Sequence, residues 1–215
     1  MTRLMCAACL RAKTSCICHW TSPTAHTVEV LILQHPMELN HAKGSARLLH
    51  LSLPHSRIQT GEVFEEAALQ SWLTGSWTPL ASQHGDAKRL PKQAVLLYPE
   101  SPEVDTPDLP KPPPLDLAAR NNPSQLRLVV LDGTWRKSRK MLYLNPLLQQ
   151  LPRLALQGMP ASRYRIRTAH KPDQLSTLEA SCAALGQLEG SAAPFLPLLA
   201  AFDGFVAQQL AYVPG

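Results

Sequence analysis

Apolar positions along the chain fall into short unbroken runs and longer periodic ones. Thr27-Val28-Glu29-Val30-Leu31-Ile32-Leu33, Gln93-Ala94-Val95-Leu96-Leu97-Tyr98 and Leu126-Arg127-Leu128-Val129-Val130-Leu131 are of the first kind. Such runs predict strands of a parallel sheet covered on both faces, where no polar side is exposed to impose alternation. Gln34-His35-Pro36 closes the first run and Pro99 the second, since proline cannot donate to a central ladder. Helical spacing predicts helices over Leu39–Leu51, despite Gly44, over Glu62–Leu73, and from Trp135 onward with Thr134 as N-cap. Two more follow at about Ser176–Gln187 and Pro194–Tyr212, and Pro152–Gln157 reads as a fourth strand. Strands alternating with helices predict an α/β fold with a mostly parallel sheet. No internal repeat occurs. Pro99 to Pro123 holds eight of the 20 prolines and five acids, and reads as an extended, polyproline-like loop.

With 215 residues, 45% hydrophobic and 17% charged, the chain has material for one core, or one core and a small appendage. No stretch approaches the roughly 18 apolar residues of a membrane span, and the start lacks the apolar segment of a signal peptide. The expectation is a cytoplasmic protein without a membrane partner. The net charge of +5 is modest but clustered. Between Arg127 and Lys171 stand ten basic residues and a single acid, Asp132.

Four of the five cysteines crowd the N-terminus as Cys6-x2-Cys9-x6-Cys16-x-Cys18. Four thiolates within 13 residues suffice for a closed tetrahedral zinc site, which leaves no open position for catalysis. A redox Cys-x-x-Cys pair, or His19 in place of one cysteine, are the alternatives. The segment is too short for a core of its own. The expected division is a zinc-binding knuckle over 1–22, hinged at Pro23, and a main domain over 23–215. Cys182, alone in an alanine-rich segment, reads as a small buried hydrophobe.

Asp132-Gly133-Thr134-Trp135 falls where the third strand hands over to a helix, and ligands of open α/β sheets gather at the carboxyl ends of strands. There Asp132 could orient a base or accept a proton, while a purely structural reading makes it and Thr134 turn and capping residues. Arg136-Lys137-x-Arg139-Lys140 and Arg163-x-Arg165-x-Arg167 form two basic stripes with Trp135 and Tyr164 among them. They suit phosphates flanked by stacking surfaces, against the alternative of a solvated face. Ser176-Thr177-Leu178-Glu179 matches a capping box. The histidines His35, His41, His50 and His55 form no metal-binding helix motif, and neither a G-x-G dinucleotide loop, a P-loop nor a G-x-S-x-G elbow occurs.

Taken in order, Cys6-x2-Cys9-x6-Cys16-x-Cys18, Gln34-His35-Pro36-x-Glu38, Leu97-Tyr98-Pro99, Leu131-Asp132-Gly133-Thr134-Trp135, Tyr164-Arg165-Ile166-Arg167 and Leu175-Ser176-Thr177-Leu178-Glu179-Ala180 resemble the DTW-domain family, whose bacterial members include tRNA-uridine aminocarboxypropyltransferases. Lys43-Gly44-Ser45 departs from the Asn-Thr pair common there. The resemblance implies a SPOUT-like, knotted α/β fold. It implies transfer of the 3-amino-3-carboxypropyl group of S-adenosylmethionine to N3 of a tRNA uridine, with release of methylthioadenosine. Asp132 is then the catalytic base. Leu97, Tyr98, Pro99, Leu131, Thr134, Trp135, Ser176, Thr177 and Glu179 are the expected cofactor contacts. Arg136, Lys137, Arg139, Lys140, Arg163, Arg165 and Arg167 are expected on tRNA, and Cys6, Cys9, Cys16 and Cys18 on structural zinc. A SPOUT-type RNA methyltransferase, or a non-catalytic zinc-bearing RNA-binding protein, are the alternative readings.

Overall fold

A computed structural model describes residues 4–77, 91–99, 110–115, 121–156, 162 and 175–212. At its centre β1 (Glu29–Gln34) and β4 (Leu126–Asp132) pair in parallel from Glu29↔Arg127 to Gln34↔Asp132. The sheet extends on one side to β2 (Ser56–Thr60) and on the other to β3 (Gln93–Leu97) and the short β5 (Arg153–Leu154), in the order β2-β1-β4-β3-β5 with every pairing parallel. All carboxyl ends therefore share one edge.

Alternate residues of the central strands serve two separate cores, which explains the unbroken apolar runs. Val30, Ile32, Leu128 and Val130 face one cluster, built with α1 (Ala46–Ser52), α5 (Thr177–Glu189) and α6 (Leu196–Leu210). Leu31, Leu33, Val129 and Leu96 face the other, built with α2 (Glu66–Thr74), α3 (Trp135–Leu144) and α4 (Pro146–Gln149). Within the second layer Arg127 is fully buried. Its guanidinium pairs with Glu29, donates to Trp72 O at 2.5 Å and Gly75 O at 2.8 Å, and lies 4.0 Å from the centre of the Trp77 ring.

Helix termini follow local chemistry. Thr134 Oγ1 accepts from Lys137 N at the start of α3, as expected. Ser176 and Glu179 complete the capping box of α5, and Gly190 ends it in the left-handed region at φ 74°. Other expectations need correction. The helix expected over Leu39–Leu51 begins only at Ala46, because residues 36–44 close successive turns: Leu39 N to Pro36 O, His41 N to Glu38 O and Gly44 N to His41 O. The helix expected from Glu62 starts at Glu66, once the Glu65 carboxylate accepts from Ala67 N and Ala68 N. The fourth expected strand shrinks to Arg153–Leu154, and β2 had no apolar run to announce it, since it is a half-exposed edge strand reading Ser-Arg-Ile-Gln-Thr. Most of the proline loop, and Arg163, Arg165 and Arg167, lie outside the described residues.

The knuckle packs against the main core. Cys9 and Ile17 belong to the first core, and Trp20 lies on Gly204 of α6 with its Nε1 donating to Gln208 Oε1 at 2.6 Å. Tyr212 Oη donates to Thr14 O at 2.9 Å. Among the described residues no helix is long and apolar enough to cross a membrane.

Two predictions follow from this packing. A Cβ on Gly204 would stand 2.1 Å from the Trp20 ring. Gly204→Ala therefore lowers stability by about 1–2 kcal/mol, although alanine favours a helix by ~1 kcal/mol. In a Trp20→Ala background the sign inverts, as urea denaturation of both pairs will report. Burial holds the His26 imidazole below its usual value, against the pull of the Val28 carbonyl 2.7 Å from Nδ1, while Nε2 accepts from His55 N. The folded chain thus binds fewer protons than the unfolded one below about pH 6.5. The contribution is complete above that pH and is lost as the pH falls, so the stability decline from pH 7 to 5 is shallower in His26→Gln.

Candidate active site

At the carboxyl edge the chain forms a small polar cleft. Asp132 and Gly133 enter it from the end of β4, Ser176 and Thr177 from the start of α5, and Glu38, His41, Lys43, Gly44 and Ser45 from the turns after β1. Asp132 is 5% exposed. Its Oδ2 accepts from Gln34 Nε2 at 2.8 Å and its Oδ1 from Thr177 Oγ1 at 2.6 Å. Two donors on opposite oxygens fix the plane of the carboxylate.

Around the cleft the polar groups interlock. Ser45 does not cap its own helix; its Oγ accepts from Leu178 N at 3.3 Å, joining the start of α1 to the start of α5. Lys137 Nζ reaches Glu38 Oε1 at 2.7 Å. His35 Nδ1 accepts from Met37 N at 3.2 Å, so the ring proton sits on Nε2 and points at Glu62 Oε1, 2.9 Å away. Lys140 holds the other oxygen of Glu62 at 2.8 Å. The lysine bond, then that of His35, keeps the Glu62 carboxyl below the usual range. A Cβ at Gly133 would stand 3.1 Å from Lys137 Cβ, a tight approach that would make the lysine shift.

Beside the cleft, the half-exposed Trp135 stacks on Tyr98, 5.0 Å between ring centres and 13° between planes. Tyr98 is buried, which pushes its phenol up, while the Arg153 guanidinium 5.4 Å from the ring centre pulls the other way. Trp135 itself is 41% exposed.

Asp132, Ser176 and Thr177 thus meet as the sequence suggested. Leu97, Tyr98 and Pro99 share the edge without lining the cleft, and Tyr98 stacks on Trp135. Leu131 packs into the second core. Thr134 is occupied as a cap. The Glu179 carboxylate is buried, accepting from Ser176 N and Ser162 Oγ at 2.8 Å each. On α3 the basic stripe divides. Arg136 is exposed and Arg139 half-exposed, whereas Lys137 and Lys140 pair with Glu38 and Glu62. Sequence reasoning missed Glu38, His41, Lys43 and Ser45 as cleft residues and Gln34 as a partner of Asp132; their place at or after the end of the first strand was the available signal.

The cysteine cluster fits zinc. Sγ of Cys6 lies 3.6 Å from that of Cys18 and Cys9 3.7 Å from Cys16, and all four lie within 4.8 Å of one another. Tetrahedral Zn–S bonds of about 2.3 Å imply S···S separations of about 3.8 Å. The close pairs are not the Cys6–Cys9 couple that redox chemistry would need, and His19 tilts against Trp20 instead of joining the cluster. Backbone N–H groups of Cys9 and Ala8 pull the Cys6 thiol down to about 6, while burial pushes Cys18 up to about 12. Burial likewise holds Cys182 at about 12, an inert core thiol.

A closed cluster whose residues share the main core ties metal to global stability. The purified protein should carry about one zinc per chain, and Cys16→Ser should shift the whole unfolding transition downward. A separate early melting of the knuckle, with the main transition unmoved, would contradict this.

A family model for the DTW domain matches residues 3–210. The tRNA-uridine aminocarboxypropyltransferase 2 of Drosophila melanogaster is 28% identical over 193 residues, covering 87% of this chain and 67% of that protein. Its namesake in Macaca fascicularis is 26% identical over 191 residues, 86% of this chain and 56% of that protein. The tRNA-uridine aminocarboxypropyltransferase A of Arabidopsis thaliana is 28% identical over 148 residues, 65% and 50% respectively. The chain spans half to two thirds of the length of these relatives. No solved structure matches it.

Proposed function

Because the chain belongs to the DTW-domain family, we propose that it is a tRNA-uridine aminocarboxypropyltransferase using S-adenosylmethionine as donor. The observation that carries the reading is Asp132, a buried carboxylate at the end of the central strand whose two oxygens are oriented by Gln34 and Thr177 inside a cleft.

The chemistry needs a base and a pose. Uridine N3 holds its proton at neutral pH and is a poor nucleophile until that proton leaves. Asp132 accepts it while N3 forms a bond to the methionine Cγ; the Cγ–S bond breaks, and its electron pair stays on sulfur to give methylthioadenosine. Which carbon next to the sulfonium faces N3 decides the product, so holding the amino-acid arm is the protein's main task. Lys43 supplies a cation within the cleft for the donor's carboxylate. Trp135, 41% exposed and stacked on Tyr98, suits a flat heterocycle.

Arg136 and Arg139, together with Arg163, Arg165 and Arg167, are assigned to tRNA phosphates, whereas Lys137 and Lys140 serve Glu38 and Glu62. Zinc held by Cys6, Cys9, Cys16 and Cys18 supplies structural cross-linking, and the segments 1–22 and 23–215 act as one packed unit. A SPOUT-like, knotted fold is proposed. The all-parallel order β2-β1-β4-β3-β5 supports it, as does the passage of Ser162 beside Glu179.

Incubation with tRNA and S-adenosylmethionine, read by nucleoside mass spectrometry and by released co-product, tests the proposal. Acp-modified uridine with methylthioadenosine is expected, and Asp132→Asn should slow transfer by about 100-fold or more while tRNA binding persists. Adenosylhomocysteine as co-product would instead make the protein a methyltransferase. An Asp132→Asn variant within about threefold of wild type would remove the carboxylate from the mechanism.

A further inference from the structure

The knuckle and the cleft touch through a reciprocal pair of arginines. Arg11, just after the first two cysteines, donates Nη1 to Ala42 O at 2.6 Å and Nη2 to Gly44 O at 3.1 Å. Arg47, in the first turn of α1, donates Nε at 3.1 Å and Nη2 at 2.6 Å to Ala8 O, between Cys6 and Cys9. Each element grips the backbone of the other.

The gripped stretch is the cleft wall. Residues 41–45 have no regular structure of their own; His41 N to Glu38 O and Gly44 N to His41 O are its local turn bonds. On its other side it is fixed at Ser45, which accepts from Leu178 N. A planar guanidinium bridging the carbonyls of Ala42 and Gly44 sets the angle of Lys43 between them, which a single ammonium cannot do. The Arg11 backbone is held in turn by the cysteine loop, since Cys6 N donates to Arg11 O at 2.7 Å and Leu10 N to Cys6 O at 2.8 Å.

We infer that Arg11 is a positioning residue that links metal occupancy of the cysteine cluster to the order of the cleft wall at residues 41–45. The Arg11 guanidinium also lies 5.2 Å over the Phe205 ring, but its backbone is held by the cysteine loop, so loss of metal from the four thiols loosens the bridge. By linkage, a ligand that orders the wall also favours the metal-loaded knuckle. The significance for catalysis rests on the proposed role of the cleft; the coupling does not.

Hydrogen exchange on the zinc-loaded full chain is the test. With zinc retained at one per chain, Arg11→Ala should speed exchange of the amides of 41–45 by about tenfold or more, the scale of lost bonds to a charged donor. Amides of β4 serve as the control and should not change. Chelation should speed the same amides in the wild type and add little in Arg11→Ala. Arg11→Lys, which keeps the charge but not the bridge, should behave like Arg11→Ala, and is the variant to read if the alanine form unfolds. Wild-type exchange at 41–45 in zinc-loaded Arg11→Ala or Arg11→Lys would overturn the inference, as would chelation acting equally on wild type and variant. Calorimetry with S-adenosylmethionine separates the two readings. Faster exchange with undiminished binding supports the coupling and counts against the cleft as the donor site.

Discussion

The pairing of β1 with β4 is the constraint from which the rest follows. The apolar pattern alone does not exclude a one-residue slip, because both faces of these strands are buried and such a slip would only exchange one core for the other. A slip of two residues would leave both faces apolar. What opposes it is polar chemistry at the two ends of the ladder: Glu29 against Arg127 at one end, Gln34 against Asp132 at the other. Displacement by two strands both a buried guanidinium and a buried carboxylate, each costly to leave without a partner. Register and the placing of Asp132 are thus one fact, and the residues that fix the sheet also build the cleft.

The parts of this arrangement written in local chemistry were legible beforehand. Runs buried on both faces, the Thr134 cap, the Ser176–Glu179 box and the four-cysteine spacing each depend on a few adjacent residues. What was not legible depends on partners far along the chain. Gln34 lies 98 residues from Asp132, and nothing near either names the other. The edge strand β2 is half-exposed and polar, so it carries no apolar signature. The stretch from Leu39 to Ser45 has helical spacing, but Ser45 gives its hydroxyl to α5 and Gly44 to a turn, and the helix starts late.

Charge counting misled in an instructive way. The segment from Arg127 onward looked almost without acids, yet Arg127 spends its charge on Glu29 inside the core, and Lys137 and Lys140 meet Glu38 and Glu62. The acids were present, supplied by the other half of the chain. Arg136 and Arg139 remain oriented outward beside Trp135, a narrower and more directional surface than the sequence alone suggested.

The stitching of Trp20 to Gln208, 188 residues later, and of Tyr212 to Thr14, sets an order on biosynthesis. The cysteine loop leaves the ribosome well before its seat, α6, which follows roughly 10–40 s later at ordinary translation speeds. For that interval the newborn chain carries a clasp with nothing to fasten, and the fastening joins segments 188 and 198 residues apart.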